Sequence, residues 1–133
     1  MIEPRTTQPF EPKGTALIVD DNERYQGMLA RFVQSLGYRC VLAENGVEAL
    51  EWLETNPAPD VMLCDIVMPR MDGIELLDEM RSRAYKVPVL VITGEADSES
   101  VRQCIALGAA GYVTKPFVLE QLRERIAAAI APA

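Results

Sequence analysis

The sequence predicts an α/β domain in which a parallel β-sheet is covered by helices on both faces. Strand-like and helix-like segments alternate five times over the 133 residues, as expected for five βα units. The strand-like segments are short, apolar and rich in β-branched residues, which is typical of strands buried in a parallel sheet. Right-handed crossovers between such strands place the helices on both sides of the sheet. The chain is long enough for one domain with a single core.

The first predicted strand covers residues 16–20 and is followed by an amphipathic helix. The apolar side chains of this helix recur at spacings of three and four residues, as they do on one face of an α-helix. They are Tyr25, Leu29, Phe32, Val33 and Leu36. Gly37 comes next, and glycine favours the left-handed conformation that ends many helices.

The second unit is predicted to contain a strand at residues 39–43 and a helix that begins near Asn45. Asn45 and Glu48 have the spacing of a capping box, in which each side chain accepts a hydrogen bond from the other residue's backbone. The third strand is predicted at residues 61–65, where an apolar run ends in the carboxylate of Asp65. Cys64 is expected to point into the core, because successive strand residues face opposite sides.

The last two strands are predicted at residues 89–93 and 111–114, with Gly108 at the end of the helix between them. The final helix is predicted to stop at Pro132, because proline cannot continue a helix. Its core-facing residues are predicted to be Leu119, Leu122, Ile126 and Ile130. Residues 1–14 hold three prolines and little apolar content, which predicts a flexible leader before a domain at residues 15–133.

The composition excludes several classes of function. No apolar stretch approaches the ~20 residues that span a bilayer, so no membrane role is expected. The formal charge of −7 argues against direct binding to nucleic acid. The chain contains no histidine, which excludes Ser-His-Asp and Cys-His catalysis and histidine-ligated zinc from its own residues. Three cysteines without metal-ligand spacing predict a reduced, cytoplasmic protein.

Polar or charged side chains lie at or just beyond the ends of four predicted strands. They are Asp20, Asp21, Asp65, Thr93, Thr114 and Lys115. The carboxyl ends of parallel strands meet at one edge of a sheet, and ligands bind in the crevice there. We therefore expect three carboxylates, a hydroxyl group and an ammonium group in one shallow cleft. Clustered carboxylates repel one another, and their oxygens are the ligands that a hard cation such as Mg²⁺ prefers.

Four segments of the chain together resemble the receiver domain of bacterial two-component response regulators, of the chemotaxis-receiver type. The segments read LIVDDNE, VMLCDIVMPRMDGIELL, VPVLVITGEAD and ALGAAGYVTKPF. They follow one another in the order and with the spacing of that family, and they cover residues 15 to about 131. The resemblance implies a flavodoxin-like (βα)5 fold with five helices around a five-stranded parallel sheet of strand order 2-1-3-4-5.

The resemblance also implies a phosphoacceptor site with Mg²⁺ as its cofactor. Asp65 matches the aspartate that takes a phosphoryl group from a phosphohistidine and becomes an acyl phosphate. Asp20 and Asp21 match the acidic pair that holds Mg²⁺ together with Asp65 and the backbone carbonyl of Val67. These residue types suit that chemistry, because a carboxylate can act as a covalent nucleophile and a divalent cation offsets charge on the transferring oxygens.

Three further residues match the phosphoryl-binding and switch groups of the family. Thr93 and Lys115 match the groups that bind phosphoryl oxygens, and Tyr112 matches the aromatic residue whose ring turns inward when Thr93 moves. Phosphorylation is thereby expected to switch the face formed by the fourth helix, the fifth strand and the fifth helix, which controls a partner or output. A receiver catalyses its own phosphorylation and dephosphorylation, so we expect no turnover of a separate substrate.

Two positions that tune the lifetime of the acyl phosphate in the family are occupied by Val67 and Glu95, two residues after Asp65 and Thr93. A valine cannot orient the hydrolytic water, because it has no hydrogen-bond donor or acceptor. The segment LGAAGYV lacks the paired acidic residues that many DNA-binding regulators carry there. We therefore expect a monomer or a weak, phosphorylation-dependent dimer.

The implied partners are a sensor histidine kinase or a histidine phosphotransfer protein, because the chain has no histidine of its own. A downstream protein, unidentified from the sequence, would receive the signal. Both a stand-alone receiver and a piece of a longer regulator fit the sequence.

A magnesium-dependent phosphohydrolase with an aspartyl nucleophile is the alternative of a different class. Enzymes of the haloacid-dehalogenase type need a second aspartate two residues after the first, where this chain has Val67. They also need a cap for the substrate, for which 133 residues leave little room. A flavin or dinucleotide binder would share the fold class, but no G-x-G-x-x-G follows the first strand.

Overall fold

The structure, a computed structural model, describes residues 11–94 and 98–131, and these form five strands and five helices in alternation. The strands are β1 (Gly14–Val19), β2 (Tyr38–Ala43), β3 (Val61–Asp65), β4 (Val89–Thr93) and β5 (Gly111–Thr114). The helices are α1 (Glu23–Ser35), α2 (Gly46–Thr55), α3 (Gly73–Ser82), α4 (Glu99–Ala106) and α5 (Leu119–Ile130). None of the described helices is long and apolar enough to cross a membrane.

The five strands form one parallel sheet in the order β2-β1-β3-β4-β5, which confirms the predicted fold class and strand order. Strands β3, β4 and β5 have the predicted bounds, and β2 begins slightly earlier than predicted. Strand β1 both begins and ends earlier than predicted, so that Asp20 follows the strand instead of ending it. In the register of the central strands, Val19 of β1 lies opposite Cys64 of β3. The residues that follow these two, Asp20 and Asp65, therefore come side by side at the carboxyl edge.

Two apolar clusters cover the two faces of the sheet. Alternate strand residues divide between them, as the period of two in a β-strand requires. One cluster joins the sheet to α2, α3 and α4 and includes Cys64, which lies in the core as predicted. The other cluster joins the opposite face to α1 and α5, through residues such as Leu29 and Leu122. The site-forming ends of the strands are therefore held between two packed layers.

Several helix ends were predicted correctly and one only in part. Gly37 and Gly108 follow α1 and α4 with φ angles of 99° and 104°, in the left-handed region. Asn45 caps α2 by accepting a hydrogen bond from the Glu48 N–H at 3.0 Å. The Glu48 carboxylate, however, accepts from the N–H of Glu44 instead of that of Asn45, so the predicted capping box is not reciprocal.

A reciprocal capping box lies at the start of α3, where it was not predicted. Asp72 accepts a hydrogen bond from the Glu75 N–H at 2.9 Å, and Glu75 accepts one from the Asp72 N–H at 3.0 Å. Together they satisfy two of the N–H groups that the start of a helix leaves free. This cap fixes the end of the loop that leads from Asp65 to α3.

The prediction that α5 buries Leu119 is wrong. Leu122 and Ile126 are buried against the sheet, and Ile130 is half-buried, but the Leu119 side chain is 51% exposed. Leu119 is the first residue of α5 and lies at the margin of the helix–sheet contact, where it lines a surface groove with residues of α1. Because Leu119 is the first residue of the helix, its side chain lies outside the core.

The predicted leader and the predicted end of the last helix fall partly or wholly outside the described residues. Residues 1–10 of the predicted leader are outside them, and so is Pro132. Gly14, predicted as the last residue of the leader, is the first residue of β1.

Candidate functional site

The carboxyl edge of the sheet brings three carboxylates together. One oxygen from each of Asp20, Asp21 and Asp65 lies within 4.8 Å of the other two. Asp20 directly follows β1 and is only 1% exposed, Asp65 ends β3 and is half-buried, and Asp21 is exposed. Within the described part of the chain, no other group of three acidic or cysteine side chains has such spacing.

Lys115 connects two of these carboxylates. Its Nζ lies 3.2 Å from Asp20 Oδ2 and 3.1 Å from Asp65 Oδ2, and its side chain is 14% exposed. Lys115 directly follows β5, and its backbone N–H donates to the carbonyl oxygen of Thr93 at 2.6 Å. The Lys115–Pro116 peptide bond is cis. The side chain thus reaches from the end of β5 across to the ends of β3 and β1.

The ionisation of Asp20 and Lys115 reflects this crowding. Burial raises the pKa of Asp20, and the charge of Asp65 adds to the effect, while the Asn22 N–H and Lys115 oppose it. Burial alone would lower the pKa of Lys115, but Asp65 and Asp20 outweigh it and the pKa is raised. With all four groups ionised, three negative charges and one positive charge leave a net charge of −2. One divalent cation would neutralise this charge.

Two residues at the start of α1 that the sequence did not single out, the N-cap Asn22 and Gln26 in the helix, fix the chain around Asp20. Asn22 caps the helix, and its own N–H donates to Asp20 Oδ1 at 2.9 Å. The side-chain amide of Gln26 is buried and donates to the carbonyl oxygens of Asp20 at 2.6 Å and Ala43 at 3.3 Å. Gln26 therefore ties the ends of β1 and β2 together. A glutamine at a helical position is no signal by itself, because the contact depends on how the helix lies against the sheet.

The loop between β3 and α3 is shaped by a close backbone approach. The Gly73 N–H donates to the Ile66 carbonyl oxygen at 2.8 Å. A Cβ atom on Gly73 would lie 2.5 Å from the carbonyl oxygen of Asp65, so no larger residue fits there without a shift. Val67 lies in this loop with its side chain 77% exposed. The exposed side chain of Val67 is therefore free of the core, and it lies two residues after Asp65 in the chain.

The proposed switch residues lie on the two strands at the far side of the site. Thr93 ends β4 and is 5% exposed, and Tyr112 on β5 is half-buried. In the sheet register Tyr112 lies opposite Val91, so Thr93 and Tyr112 are two register positions apart. The guanidinium of Arg125 lies 5.8 Å from the Tyr112 ring and donates to the Tyr112 carbonyl oxygen at 2.9 Å. Glu95 lies outside the described residues.

The cysteines do not take part in this site. Burial raises the pKa of Cys64 well above its ordinary value and raises those of Cys40 and Cys104 to about 11. The reactive form of cysteine is the thiolate, which these pKa values disfavour at neutral pH. The cysteines are therefore poor candidates for a nucleophile, and the carboxylates at the carboxyl edge remain candidates.

The donor set fits Mg²⁺ on chemical grounds. Mg²⁺ takes oxygen ligands, and it usually binds through one or two carboxylates while keeping several of its waters. Asp20, Asp21 and Asp65 supply such oxygens, and the exposed position of Asp21 leaves one side of the cluster open to water. The ammonium of Lys115 contacts Asp20 and Asp65, so it adds positive charge beside these carboxylates.

Comparison with known proteins finds a matching family and similar sequences. Residues 16–127 match the response regulator receiver domain family. The chain is 40% identical over 127 residues to the Regulator of RpoS of Escherichia coli K12, covering 95% of this chain and 37% of that protein. It is 41% identical over 113 residues to the response regulator MprA of Mycobacterium sp. strain KMS, covering 84% of this chain and 48% of that protein. The chain thus spans less than half the length of these curated relatives.

Solved structures have the same fold. A putative response regulator from Chloroflexus aurantiacus superposes with a TM-score of 0.84 at 31% identity, covering 92% of this chain and 100% of that chain. The CheX-CheY-BeF3-Mg+2 complex from Borrelia burgdorferi gives a TM-score of 0.81 at 27% identity, covering 89% of this chain and 90% of that chain. The family match covers residues 16–127, which is more than half of the chain, and the chain therefore belongs to the response regulator receiver domain family.

Proposed function

We propose that this chain is a phosphoacceptor of two-component signalling, which takes a phosphoryl group onto Asp65 with the help of Mg²⁺. The observation that carries the proposal is the position of the Lys115 ammonium, 3.1 Å from Asp65 and 3.2 Å from Asp20 in a cluster of three carboxylates. This arrangement offers a nucleophile, a fixed positive charge beside it and oxygen ligands for a cation. Membership of the receiver family supports the same chemistry.

In the proposed reaction a carboxylate oxygen of Asp65 attacks the phosphorus of a phosphohistidine on a partner protein. The new O–P bond makes an acyl phosphate, and the P–N bond breaks with its electron pair left on the imidazole nitrogen, which takes a proton from solvent. Hydrolysis later returns the Asp65 carboxylate when a water oxygen attacks the phosphorus and inorganic phosphate leaves. The chain would therefore turn over no separate substrate and is not proposed to be an enzyme in that sense.

The metal ligands would be Asp20, Asp21, Asp65 and the backbone carbonyl of Val67. A bound Mg²⁺ offsets negative charge on the transferring phosphoryl oxygens. Lys115 is already placed beside the Asp65 oxygen and would bind one of those oxygens once the phosphoryl group is present. The Borrelia burgdorferi relative was solved with BeF3 and Mg+2, which supports an anion and a cation together in such a site.

The proposed output is a switch of the face formed by α4, β5 and α5. Thr93 would move its hydroxyl toward the phosphoryl group, and the Tyr112 ring would then turn inward into the space that is freed. The backbone hydrogen bond from Lys115 to Thr93 joins the two phosphoryl-binding residues directly. The half-buried position of Tyr112 is compatible with movement in either direction.

The proposed partners follow from this chemistry. A sensor histidine kinase or a histidine phosphotransfer protein would supply the phosphoryl group, and a downstream protein would bind the switched face. The formal charge of −7 favours a protein partner over nucleic acid. We propose a cytoplasmic receiver that is a monomer or a weak dimer upon phosphorylation.

The test is phosphorylation of the purified chain by acetyl phosphate in the presence of Mg²⁺, followed by mass spectrometry. The wild type is expected to gain one phosphoryl group, and Asp65→Asn is expected to gain none. Asp60→Asn is the matched control, because Asp60 is an exposed aspartate just before the opposite end of β3. Labelling that survives in Asp65→Asn, or that is lost in Asp60→Asn, would contradict the assignment. Phosphotransfer from candidate histidine kinases would then identify the partner.

A further inference from the structure

The ammonium group of Lys115 contacts an aromatic ring as well as two carboxylates. Its Nζ lies 4.1 Å from the centroid of the Tyr25 ring, well inside the ~6 Å within which a cation is attracted to a π face. Asp20 and Asp65 approach the same atom at 3.2 and 3.1 Å. Three partners therefore surround the ammonium, and only 14% of the side chain is exposed.

Tyr25 is itself held by one contact of its backbone and one of its ring. Tyr25 lies in the first turn of α1, where its backbone N–H donates to the capping oxygen of Asn22 at 3.1 Å. Its ring centroid lies 6.0 Å from that of Phe117, with the planes inclined at 50°. Phe117 comes two residues after Lys115, so the rings join the start of α1 to the loop that carries the lysine.

Core packing does not account for the position of this ring. The half-buried rings of Tyr38 and Phe117 pack against one core cluster, and those of Tyr85 and Tyr112 pack against the other. Tyr25 is not among the described residues that pack on either cluster. It borders a surface groove instead. Its described ring contacts are to Lys115 and Phe117.

We propose that Tyr25 is a positioning residue for Lys115, and that its π face holds the ammonium beside Asp65 for phosphoryl transfer; this inference rests on the proposed function. A lysine side chain is flexible and samples many rotamers when nothing restrains it. A ring on one side and carboxylates on the other leave the ammonium little freedom. Charge stabilisation that is already in place needs no reorganisation at the moment of reaction.

The ring is expected to matter most when Mg²⁺ is present. Of the three described partners of the Lys115 ammonium group, Asp20 and Asp65 are also proposed metal ligands. A cation bound to those carboxylates weakens their hold on the ammonium and repels it directly. The attraction to the Tyr25 ring does not depend on the carboxylates, so it remains.

The first experiment measures the rate of Asp65 phosphorylation in the full chain, with Mg²⁺ present and acetyl phosphate as the donor at increasing concentrations. Tyr25→Phe keeps the π face and is expected to react within about twofold of the wild type. Tyr25→Leu is expected to lower the maximal rate by about 3- to 30-fold. The donor concentration for half-maximal rate should change little, because Lys115 acts on charge that develops during the transfer.

The matched control is Tyr38→Leu. Tyr38 is the aromatic partner of another lysine, Lys13, whose Nζ lies 5.4 Å from the ring at the opposite edge of the sheet. This variant loses a ring of the same kind and is expected to be phosphorylated at the wild-type rate. It thereby separates a role at the site from a general effect on the fold.

A second experiment observes the contact directly by NMR with Mg²⁺ bound. In the wild type the ε-methylene protons of Lys115 should show nuclear Overhauser contacts to the Tyr25 ring protons and a ring-current shift. Both should persist in Tyr25→Phe, and the shift should be lost in Tyr25→Leu. The wild-type measurement needs no variant to fold.

The outcomes separate this inference from the proposed function. A folded Tyr25→Leu that is phosphorylated as fast as the wild type would overturn the role of the ring. So would equal losses in the leucine and phenylalanine variants, or the absence of the NMR contact in the wild type with Mg²⁺. A wild type that is not labelled at all, or labelling that persists in Asp65→Asn, would instead contradict the phosphoacceptor function itself.

Discussion

The two edges of the sheet each carry a lysine placed over a tyrosine ring, and the two pairs differ in their surroundings. At the carboxyl edge Lys115 lies 4.1 Å from the Tyr25 ring, and only 14% of its side chain is exposed. At the amino edge Lys13 lies 5.4 Å from the Tyr38 ring and is exposed. Cation–π attraction is worth about 0.5–1 kcal/mol at exposed sites and ~2 kcal/mol when water is excluded. The same two residue types thus make a strong contact at one edge and a weak one at the other.

The two ends of β3 show the same contrast for aspartate. Asp60, just before the strand, is exposed and accepts a hydrogen bond from the Thr15 N–H at 2.8 Å. Asp65, at the end of the strand, is half-buried and shares Lys115 with Asp20. One exposed carboxylate is satisfied by water and a backbone N–H. Three clustered carboxylates with one ammonium keep a net charge of −2 when all are ionised, which favours the binding of a cation at the carboxyl edge.

The largest expected effect is the stabilisation of the fold by Mg²⁺. Ligand that binds only the folded state raises the free energy of unfolding by about 2.7 kcal/mol at 100-fold excess over its Kd. Asp21→Asn should lose most of this gain, because it removes one of the three clustered carboxylates. Asp60→Asn, at the other edge, should keep it. Thermal unfolding with and without Mg²⁺ measures the effect. If millimolar Mg²⁺ does not change the melting temperature of the wild type, the cation site is disproved.

A smaller effect is expected on the lifetime of the acyl phosphate. Val67→Asn supplies a hydrogen-bonding group at an exposed position two residues after Asp65, where we propose that it orients the hydrolytic water. Dephosphorylation should become faster by about 10- to 100-fold, or roughly 1–3 kcal/mol in the barrier. The measurement is the decay of phosphorylated protein after the donor is removed.

The control for this substitution is Val118→Asn. Val118 is likewise exposed, 65% against 77% for Val67, and it lies in the loop after β5. The phosphorylated Val118→Asn variant should lose its phosphoryl group at the rate of the wild type. If Val67→Asn decays at the wild-type rate or more slowly, the role assigned to the valine is wrong.

A third prediction concerns the conformational response to phosphorylation. Thr93→Ala removes the hydroxyl proposed to move toward the phosphoryl group and should leave Asp65 reactive. The change in amide chemical shifts across α4, β5 and α5 upon phosphorylation should become markedly smaller. Thr15→Ala, at the amino edge, should respond like the wild type. Wild-type amide spectra that are the same with and without the phosphoryl group would refute the switch.

The smallest expected effect is a pH dependence of stability without divalent cations. Asp20 has an ordinary pKa of 3.8, and burial raises its pKa in the folded state. Folding therefore favours the protonated form, and the wild type loses stability as the pH rises from 3.8 through the raised value. Asp20→Asn lacks this loss. Its free energy of unfolding relative to the wild type should be higher at pH 7 than at pH 4.

Chemical denaturation at the two pH values, in the presence of a chelator, checks this difference. Lys115 does not interfere with this measurement. Its ordinary pKa is 10.5 and is raised further in the folded state, so its contribution to the free energy of unfolding is constant between pH 4 and pH 7. Asp78→Asn, on the exposed face of α3, is the control and should show no such trend. If the free energies of unfolding of Asp20→Asn and the wild type differ by the same amount at pH 4 and pH 7, burial does not raise the pKa of this carboxylate.

The fold was largely predictable from local patterns. Strands β3 and β4 have the predicted bounds because each is a short, mostly buried, apolar run between clear breaks. Strand β5 also has the predicted bounds, although only one of its four residues is buried. The predictions failed at element ends. Leu119 has helical spacing with Leu122, yet it is 51% exposed at the first position of α5. Glu48 has the spacing of a capping box, yet it accepts a hydrogen bond from Glu44. Spacing identifies a face of a helix but not where its contact with the sheet stops.

The sequence by itself determined which residues lie at the carboxyl edge. In a chain of alternating strands and helices the strands run parallel, so they all end at the same edge of the sheet. That logic is enough to place Asp20, Asp21, Asp65 and Lys115 near one another. Only the tertiary structure decided which side chains touch. Lys115 and Asp20 are 95 residues apart in the chain, and their contact depends on strand register. The contacts of Tyr25 with Lys115, and of Gln26 with the ends of β1 and β2, depend on the rotation of α1 against the sheet. A rotation by one residue, about 100°, would break them without changing any local pattern.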